Sequence, residues 1–167
     1  SVIHCAGISP TLPLRAFRPA RLEEMLRVNV VGALELTRLL CKPAHFSKEG
    51  GSIIFLSSVM GVVGEKGKFM YSASKGALVA TVKSLALELA PRQVRVNCIS
   101  PGVVSTPMSQ EAVYSQSDDQ LAAIVARHPL GLGTVSDIAH SCIFLLSDAA
   151  RWVTGTNLCV DGGYTAQ

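Results

Sequence analysis

The chain has 167 residues, which suits one domain with a single hydrophobic core. Hydrophobic residues make up 49% of it and charged residues 16%, yet no apolar run reaches the roughly 18 residues that a membrane span requires. The net charge is +3, and the basic cluster within residues 15–27 also contains Glu23 and Glu24, which is typical of a solvated helix. We therefore expect a cytoplasmic protein that binds neither membranes nor nucleic acid.

Four short apolar segments rich in valine and isoleucine predict β-strands: 1–5, 51–58, 93–100 and 156–160. Helical patterns lie between them: 19–42, 70–90, 109–127 and 136–147. Pro19 begins the first helix, and Ser136 is the expected N-cap of the last. This alternation predicts βαβ units that form a parallel sheet within a single α/β domain spanning residues 1–167.

The five cysteines are odd in number and include no C-x-x-C pair. Cys41 and His45 stand four residues apart, but one such pair cannot fill a tetrahedral zinc site. We expect reduced, mostly buried thiols and no metal.

In parallel sheets, ligands bind beyond the carboxyl ends of the strands. The search for a dinucleotide fingerprint finds only Gly131-Leu-Gly133, which follows His128-Pro129 rather than a strand and has Ser136 in place of the third glycine. This segment is therefore not a phosphate-binding loop.

Tyr71 and Lys75 are the strongest candidates for chemistry, because residues four apart share one face of a helix. A phenol has a pKa near 10, and a nearby cation favours the phenolate and eases proton transfer. The pair alone is weak evidence, since this spacing is common. Ser58 ends a strand thirteen residues before Tyr71, and Asn29 lies in the middle of an apolar helix, where a buried amide must find partners.

At this point the chain resembles the classical short-chain dehydrogenases/reductases along essentially its whole length. The motifs that carry the resemblance are C-A-G (5–7), N-V-V-G (29–32), I-I-F-L-S-S (53–58), Y-S-A-S-K (71–75), V-R-V-N-C-I-S-P-G (94–102), Thr106 and V-T-G-T-N-L-C-V-D-G-G (153–163). One of these motifs would mean little, but all of them in order are specific.

The resemblance implies a catalytic tetrad. Tyr71 would exchange a proton with the oxygen of a carbonyl or secondary alcohol, and Ser58 would hydrogen-bond that oxygen. Lys75 would lower the phenol pKa and bind the nicotinamide ribose. Asn29 would anchor, through a helix distortion, a water that leads protons to the solvent. The hydride itself belongs to NAD or NADP.

The resemblance also implies which residues contact the cofactor and the substrate. Cys5, Ala6 and Gly7 would approach the adenosine-side ribose, and the nicotinamide side would meet Pro101, Gly102, Val104 and Thr106. Met60, Val62 and Val63 would line the substrate pocket with Ser58 and Tyr71, and the segment 109–131, with Val113, Leu121 and Ile124, would cover it. NAD cannot be distinguished from NADP from these residues.

Two departures from the family pattern stand out. The family commonly has N-N-A-G where this chain has His4-Cys5-Ala6-Gly7. The family's first three strands and its T-G-x-x-x-G-x-G loop have no counterpart, so this chain corresponds to strands 4–7 of the order 3-2-1-4-5-6-7. We therefore expect an incomplete Rossmann-type doubly wound parallel sheet, with an exposed edge at residues 1–5, that belongs to a longer protein. These residues alone should bind dinucleotide poorly.

Within the family, the chain looks closest to 3-oxoacyl-(acyl-carrier-protein) reductases. Arg92 matches a basic position that meets the acidic carrier in those enzymes, although it equally suits a helix C-terminus, and the companion basic position is Glu49 here. Helices 19–42 and 70–90 resemble the family's dimer face, so a homotetramer or homodimer is expected. Two alternatives remain: a non-catalytic binding or assembly module, and a sugar-nucleotide epimerase, which also uses Y-x-x-x-K.

Overall fold

The computed structural model describes residues 1–42, 45, 47–110 and 117–167. Its strands are β1 (Val2–His4), β2 (Gly51–Leu56), β3 (Val94–Pro101) and β4 (Asn157–Val160). They form one sheet in the order β1-β2-β3-β4, and every neighbouring pair is parallel. This arrangement confirms the predicted parallel α/β sheet, and it brings the carboxyl ends of all four strands to one edge.

The helices are α1 (Pro19–Leu26), α2 (Gly32–Leu40), α3 (Phe69–Leu89), α4 (Pro107–Gln110), α5 (Asp118–Ala126) and α6 (Val135–Leu146). A π-helical turn, Arg27–Val31, joins α1 to α2, so the predicted helix 19–42 is one helical stretch with a distortion in its middle. Pro19 occupies its first turn, as expected.

The predicted N-cap of α6 is wrong. Thr134 caps this helix: its Oγ1 accepts from the N–H of Asp137, and the Asp137 carboxylate accepts from the N–H of Thr134 in return. The acidic residue three positions after Thr134 makes this reciprocal pair possible, which Ser136 cannot form.

Two hydrophobic layers cover the faces of the sheet. Alternate side chains of β2 point to opposite faces, so Ile53 and Phe55 pack against α3, whereas Ile54 packs against α6. The buried residues of α3 recur at helical spacing: Met70, Ser74, Lys75, Leu78, Val82, Ala86 and Leu89. This stripe holds α3 against the sheet and places its first two turns near the carboxyl end of β2.

β1 lies at the edge of the sheet, and among the described residues it pairs only with β2. A cleft of about 260 Å³ lies beside it, and its walls come from β1, from the following residues Cys5 and Ala6, and from the π-helical turn and α2. The exposed strand edge that the sequence predicts is therefore present.

Three features are absent from the described residues: a membrane-spanning helix, a metal-binding cluster and a disulfide bond. Along the described ranges no helix is long and apolar enough to cross a membrane. The same part of the chain contains no group of three or more His, Cys, Asp or Glu side chains placed to hold a metal. All five cysteines are free thiols, but only Cys98 and Cys142 are buried, so the prediction of mostly buried thiols is wrong.

Candidate active site

The carboxyl end of β2 supports the first part of the site. The N–H of Ser57 donates to the carbonyl of Ile99 over 2.8 Å, which continues the β2–β3 pairing by one residue. Ser58 then has extended backbone angles, and its Oγ accepts from the N–H of Met60 over 3.2 Å, capping a 3-10 turn at Val59–Gly61. The strand end thus fixes the Ser58 hydroxyl at the ligand-binding edge of the sheet.

Tyr71 and Lys75 reach this edge from the first two turns of α3. The ammonium of Lys75, which is 4% exposed, donates to the carbonyl of Leu56 over 2.8 Å. Its Nζ lies 5.6 Å from the ring centroid of Tyr71. The Ser58 hydroxyl is close enough to the Tyr71 phenol to act on its pKa, which it lowers. The structure therefore brings Ser58, Tyr71 and Lys75 together.

Burial controls the protonation of this group. It raises the pKa of Tyr71, although the nearby Ser58 hydroxyl partly offsets the effect. Burial also lowers the pKa of Lys75 to about 8, against the opposing influence of the Cys98 and Cys5 thiols. In the free protein at neutral pH, Tyr71 is a protonated phenol and Lys75 is a cation. As the pH rises, Lys75 loses its proton before Tyr71 does, so it is already neutral when the phenol ionises. That Lys75 lowers the phenol pKa therefore stays a prediction.

Asn29 lies in the π-helical turn and is 1% exposed. Its Oδ1 accepts from the N–H of Ile8 over 2.8 Å, and its Nδ2 donates to the carbonyl of Ile8 and to Ser74 Oγ, each over 3.0 Å. Ser74 in turn donates to the carbonyl of Tyr71 over 2.8 Å. Asn29 thereby ties the loop after β1 to the turn of α3 that carries Tyr71, and the predicted helix distortion is present.

Gly7, in the loop after β1, packs beside Lys75 and Asn29. A Cβ at this position would stand 3.4 Å from Lys75 Nζ and 3.5 Å from Asn29 Oδ1. Its bare backbone leaves open the space next to the lysine, which suits the close approach of a ligand. Cys5 and Ala6 are exposed beside it.

His4 takes a structural role at the position where the family commonly has asparagine. Its ring stacks on Phe55 with centroids 4.7 Å apart. Because Thr37 Oγ1 donates to the carbonyl of Ala33, it accepts from His4 Nε2 over 2.8 Å. Burial lowers the pKa of His4, so the ring is neutral and joins β1 to α2.

The segment after β3, residues 101–106, forms the second wall of the edge. The N–H of Gly102 donates to the carbonyl of Val160 over 3.0 Å, and a Cβ on Gly102 would stand 2.9 Å from Asp161 Cα. Val104 forms a parallel bridge with Gly133. Thr106 Oγ1 accepts from the N–H of Ser109 over 3.2 Å, at the start of α4. Pro101, Gly102, Val104 and Thr106 thus lie at or just after the carboxyl end of β3.

The predicted substrate residues are placed unequally. Met60 is only 8% exposed, so Val62, which is half exposed, offers more apolar surface after Ser58. In the segment 109–131, Leu121 is exposed and Ile124 is buried. Val113 lies outside the described residues.

Three further residues of the site carry too weak a sequence signal to find. Ser74 receives the Asn29 amide, and Ser57 Oγ donates to the Lys75 carbonyl over 2.8 Å. Lys68 Nζ lies 5.7 Å from the Tyr71 ring centroid and donates to Ser9 Oγ over 3.2 Å. Only the i, i+3 spacing from Lys68 to Tyr71 could have indicated the last of these.

Gly61 provides a test of how tightly the Ser58 turn packs on α3. A Cβ at Gly61 would stand 2.8 Å from Ser57 Oγ and 3.0 Å from the carbonyl carbon of Lys75. We expect Gly61→Ala to lower the free energy of unfolding by about 1–3 kcal/mol through overpacking. Urea unfolding of the full-length protein measures this change. Gly64→Ala is the matched control, since no atom lies within 4 Å of a Cβ there; equal effects of the two substitutions would contradict the close packing.

Comparison with known proteins places this geometry in a family. The family model described as enoyl-(acyl carrier protein) reductase matches residues 1–165. Cyclopentanol dehydrogenase of Comamonas is 34% identical, with 99% of this chain and 66% of that protein covered. The 3-oxoacyl-[acyl-carrier-protein] reductase of Escherichia coli is 35% identical over 97% of this chain and 65% of that enzyme. Mouse L-fucose dehydrogenase is 37% identical, covering 97% and 60%.

Similar solved structures support the same family as these sequence relatives. A 4-hydroxyisoleucine dehydrogenase complexed with NADH superposes with a TM-score of 0.92 at 34% identity, over 99% of this chain and 68% of that one. A short-chain dehydrogenase family protein from Francisella tularensis gives 0.91 at 31% identity, over 99% and 70%. The chain spans about two thirds of the length of these relatives. The parallel sheet, the Ser58–Tyr71–Lys75 group and the match over residues 1–165 show that the chain belongs to the short-chain dehydrogenase/reductase family.

Proposed function

We propose that the full-length protein transfers a hydride between NAD(P)(H) and a carbonyl compound or secondary alcohol, with Tyr71 as the proton donor in reduction and the acceptor in oxidation. The observation that carries this proposal is the meeting of Ser58, Tyr71 and Lys75 at the carboxyl edge of the sheet. Family membership supplies the reaction class, because oxidoreductases of this family are its relatives.

The residues present fit a nicotinamide cofactor. The bare backbone of Gly7 faces Lys75 Nζ and Asn29, and Gly102 packs where a side chain would clash with Asp161. Cys5, Ala6, Gly7, Tyr71 and Lys75 would hold one part of NAD or NADP, and Pro101, Gly102, Val104 and Thr106 the other. When bound, the cofactor supplies or accepts the hydride.

The protein residues then manage the proton. Ser58 Oγ and the Tyr71 hydroxyl form a two-point site for the substrate oxygen. The phenol of Tyr71 holds its proton at neutral pH and donates it to the alkoxide that develops on the substrate. Lys75 stabilises the negative charge that remains on the phenol oxygen, and Asn29 positions the turn that carries Tyr71.

The substrate is a small carbonyl compound or alcohol, and a 3-oxoacyl thioester on an acyl-carrier protein is the finer possibility that the sequence similarity supports. Arg92 does not strengthen it, since the guanidinium donates to the carbonyl of Cys41 and so caps the end of α2. The relatives named above act, by their names, on cyclopentanol, 3-oxoacyl groups and L-fucose.

A homodimer or homotetramer is part of the proposal. Val31, Leu36 and Leu87 expose apolar side chains on α3 and on the stretch from the π-helical turn through α2, which by resemblance correspond to the family's dimer face. Covering this surface in a second copy would remove it from water.

The proposal is tested by incubating the full-length protein with NADH or NADPH and a panel that includes cyclopentanone, a 3-oxoacyl thioester and an aldonolactone. The proposal expects cofactor oxidation with at least one substrate and one cofactor. Binding of the cofactor without turnover across a broad carbonyl panel would favour the non-catalytic module instead.

A further inference from the structure

His128 is a buried imidazole outside the proton-transfer group. It lies two residues after the end of α5, is 3% exposed, and has both ring nitrogens in hydrogen bonds. The N–H of Val103 donates to Nε2 over 3.1 Å, and Nδ1 lies 2.8 Å from the carbonyl of Ile124. Because an amide N–H can only donate, Nε2 carries no hydrogen, and Nδ1–H must donate to Ile124. The contacts therefore require the neutral Nδ1–H tautomer.

The ring connects three separate segments. Ile124 belongs to α5, Val103 belongs to the segment 101–106, and the ring of Tyr164 lies 4.9 Å from the imidazole near the C-terminus. A Cβ on Gly102 would stand 3.0 Å from Nε2, so the imidazole packs directly on the backbone of 101–106. Removing this acceptor would leave the Val103 N–H without its partner.

We propose that His128 is a positioning residue that holds the segment 101–106 in place, and that protonation of its imidazole releases this segment. An imidazolium has a hydrogen on Nε2, which would point at the hydrogen of the Val103 N–H. Two donors facing each other cannot form the bond. The consequence for cofactor binding rests on the proposed function, in which 101–106 contacts the nicotinamide.

The charged and titratable groups around His128 favour either its neutral imidazole or its imidazolium. From the C-terminal segment, Asp161 faces the same Gly102 position as Nε2 and favours the imidazolium, although its carboxylate already accepts hydrogen bonds from Gly163 and Thr165. Tyr164 contributes a neutral phenol, whose oxygen lies 3.5 Å from Arg127 Nη1.

The other two elements add little charge. The segment 101–106 has no titratable side chain. On α5, Asp118 and Asp119 lie in the first turn, at the end away from His128. Asp161 is therefore the neighbouring charge that favours the imidazolium, while the Val103 N–H opposes it.

Two substitutions separate a pH-dependent contact from simple packing. His128→Gln offers an amide oxygen to the Val103 N–H and does not gain a proton in this range. His128→Phe keeps a ring against Tyr164 but removes the acceptor. His140→Gln, at an exposed position on α6, is the control for a general effect of losing a histidine.

The measurement is amide hydrogen exchange of peptides covering 101–106 in the full-length protein without cofactor, at about pH 7.5 and about pH 5.5, corrected for intrinsic rates. We expect wild type and His140→Gln to lose about tenfold or more of their protection at the acidic pH. His128→Gln should keep its protection at both pH values, and His128→Phe should lack it at both. Dissociation constants for NADH and NADPH measured in parallel should weaken with the loss of protection.

The outcomes separate this inference from the proposed function. Protection in wild type that does not change with pH, or an equal acid loss in His128→Gln, overturns the role of His128 even if the enzyme turns over. Exchange that follows the expectation while neither cofactor binds leaves the role of His128 standing and contradicts the proposed function. If His128→Phe fails to fold, wild type and His128→Gln still decide the question.

Discussion

Tyr71→Phe is expected to slow carbonyl reduction by the full-length protein by about 10²–10⁴-fold while leaving cofactor binding nearly unchanged. The substitution keeps the aromatic ring in its place on α3 and removes only the hydroxyl that the Ser58 side chain approaches. The substrate oxygen then loses the phenol both as a hydrogen-bond partner and as its proton donor.

Steady-state rates and cofactor dissociation constants, measured together, check this result. Ser72→Ala is a matched control on the neighbouring residue, because the buried Ser72 hydroxyl has no hydrogen-bond partner among the described residues. We expect that control to retain wild-type rates. A Tyr71→Phe variant with near-wild-type reduction would mean that another group supplies the proton.

Lys75→Met should lower the reduction rate by about 10²-fold or more, since it removes the cation that lies 5.6 Å from the Tyr71 ring and faces Gly7. The dissociation constant of the cofactor should rise as well, because Lys75 is the predicted partner of the nicotinamide ribose. Kinetics that separate kcat from KM distinguish the two effects.

The same substitution has a consequence for stability. Burial lowers the pKa of Lys75 from 10.5 to about 8, so the folded state disfavours the ammonium. Between these two values the unfolded chain binds more protons than the folded chain, and stability therefore rises with pH. Below about pH 8, Lys75 is protonated in both the folded and the unfolded state, and the full free-energy cost of burying its charge remains.

Between about pH 7 and about pH 9.5, wild type should gain about 2 kcal/mol of unfolding free energy relative to Lys75→Met. Urea unfolding across this range measures the difference. Lys83→Met, at an exposed position of the same helix, controls for the loss of a surface charge. A difference in unfolding free energy that does not change with pH would contradict the burial of a charged Lys75. So would a loss of wild-type stability relative to Lys75→Met as the pH rises.

The sheet could be predicted from the sequence because buried parallel strands such as β2 read as continuous apolar runs. The helix boundaries could not be predicted in the same way. The helix α6 begins where Thr134 and Asp137 pair their side chains and backbones, and Ser136 has a similar local preference for an N-cap. The residues 111–116 lie outside the described structure, so the predicted helix 109–127 is tested only at α4 and α5.

Some residues of the candidate site could likewise be predicted from the sequence, and others could not. Tyr71, Lys75, Ser58 and Asn29 carry motif spacings that sequence alone reveals. Ser74, Ser57 and His128 do not, because each acts through a partner 18 to 45 residues away in the chain. Such contacts exist only once the sheet has folded, and a serine or histidine in isolation is equally consistent with an ordinary core or turn residue.

In the proposed function, Tyr71 supplies the proton for a hydride transfer from a nicotinamide. Isotope labelling tests this with the reduced cofactor found active in the panel, deuterated at the transferable position, the full-length protein and a carbonyl substrate from that panel. We expect deuterium on the carbinol carbon of the product in wild type, and we expect Tyr71→Phe to form the same labelled product at least about a hundredfold more slowly. Product formed without the label, or labelled at the wild-type rate in Tyr71→Phe, would contradict it.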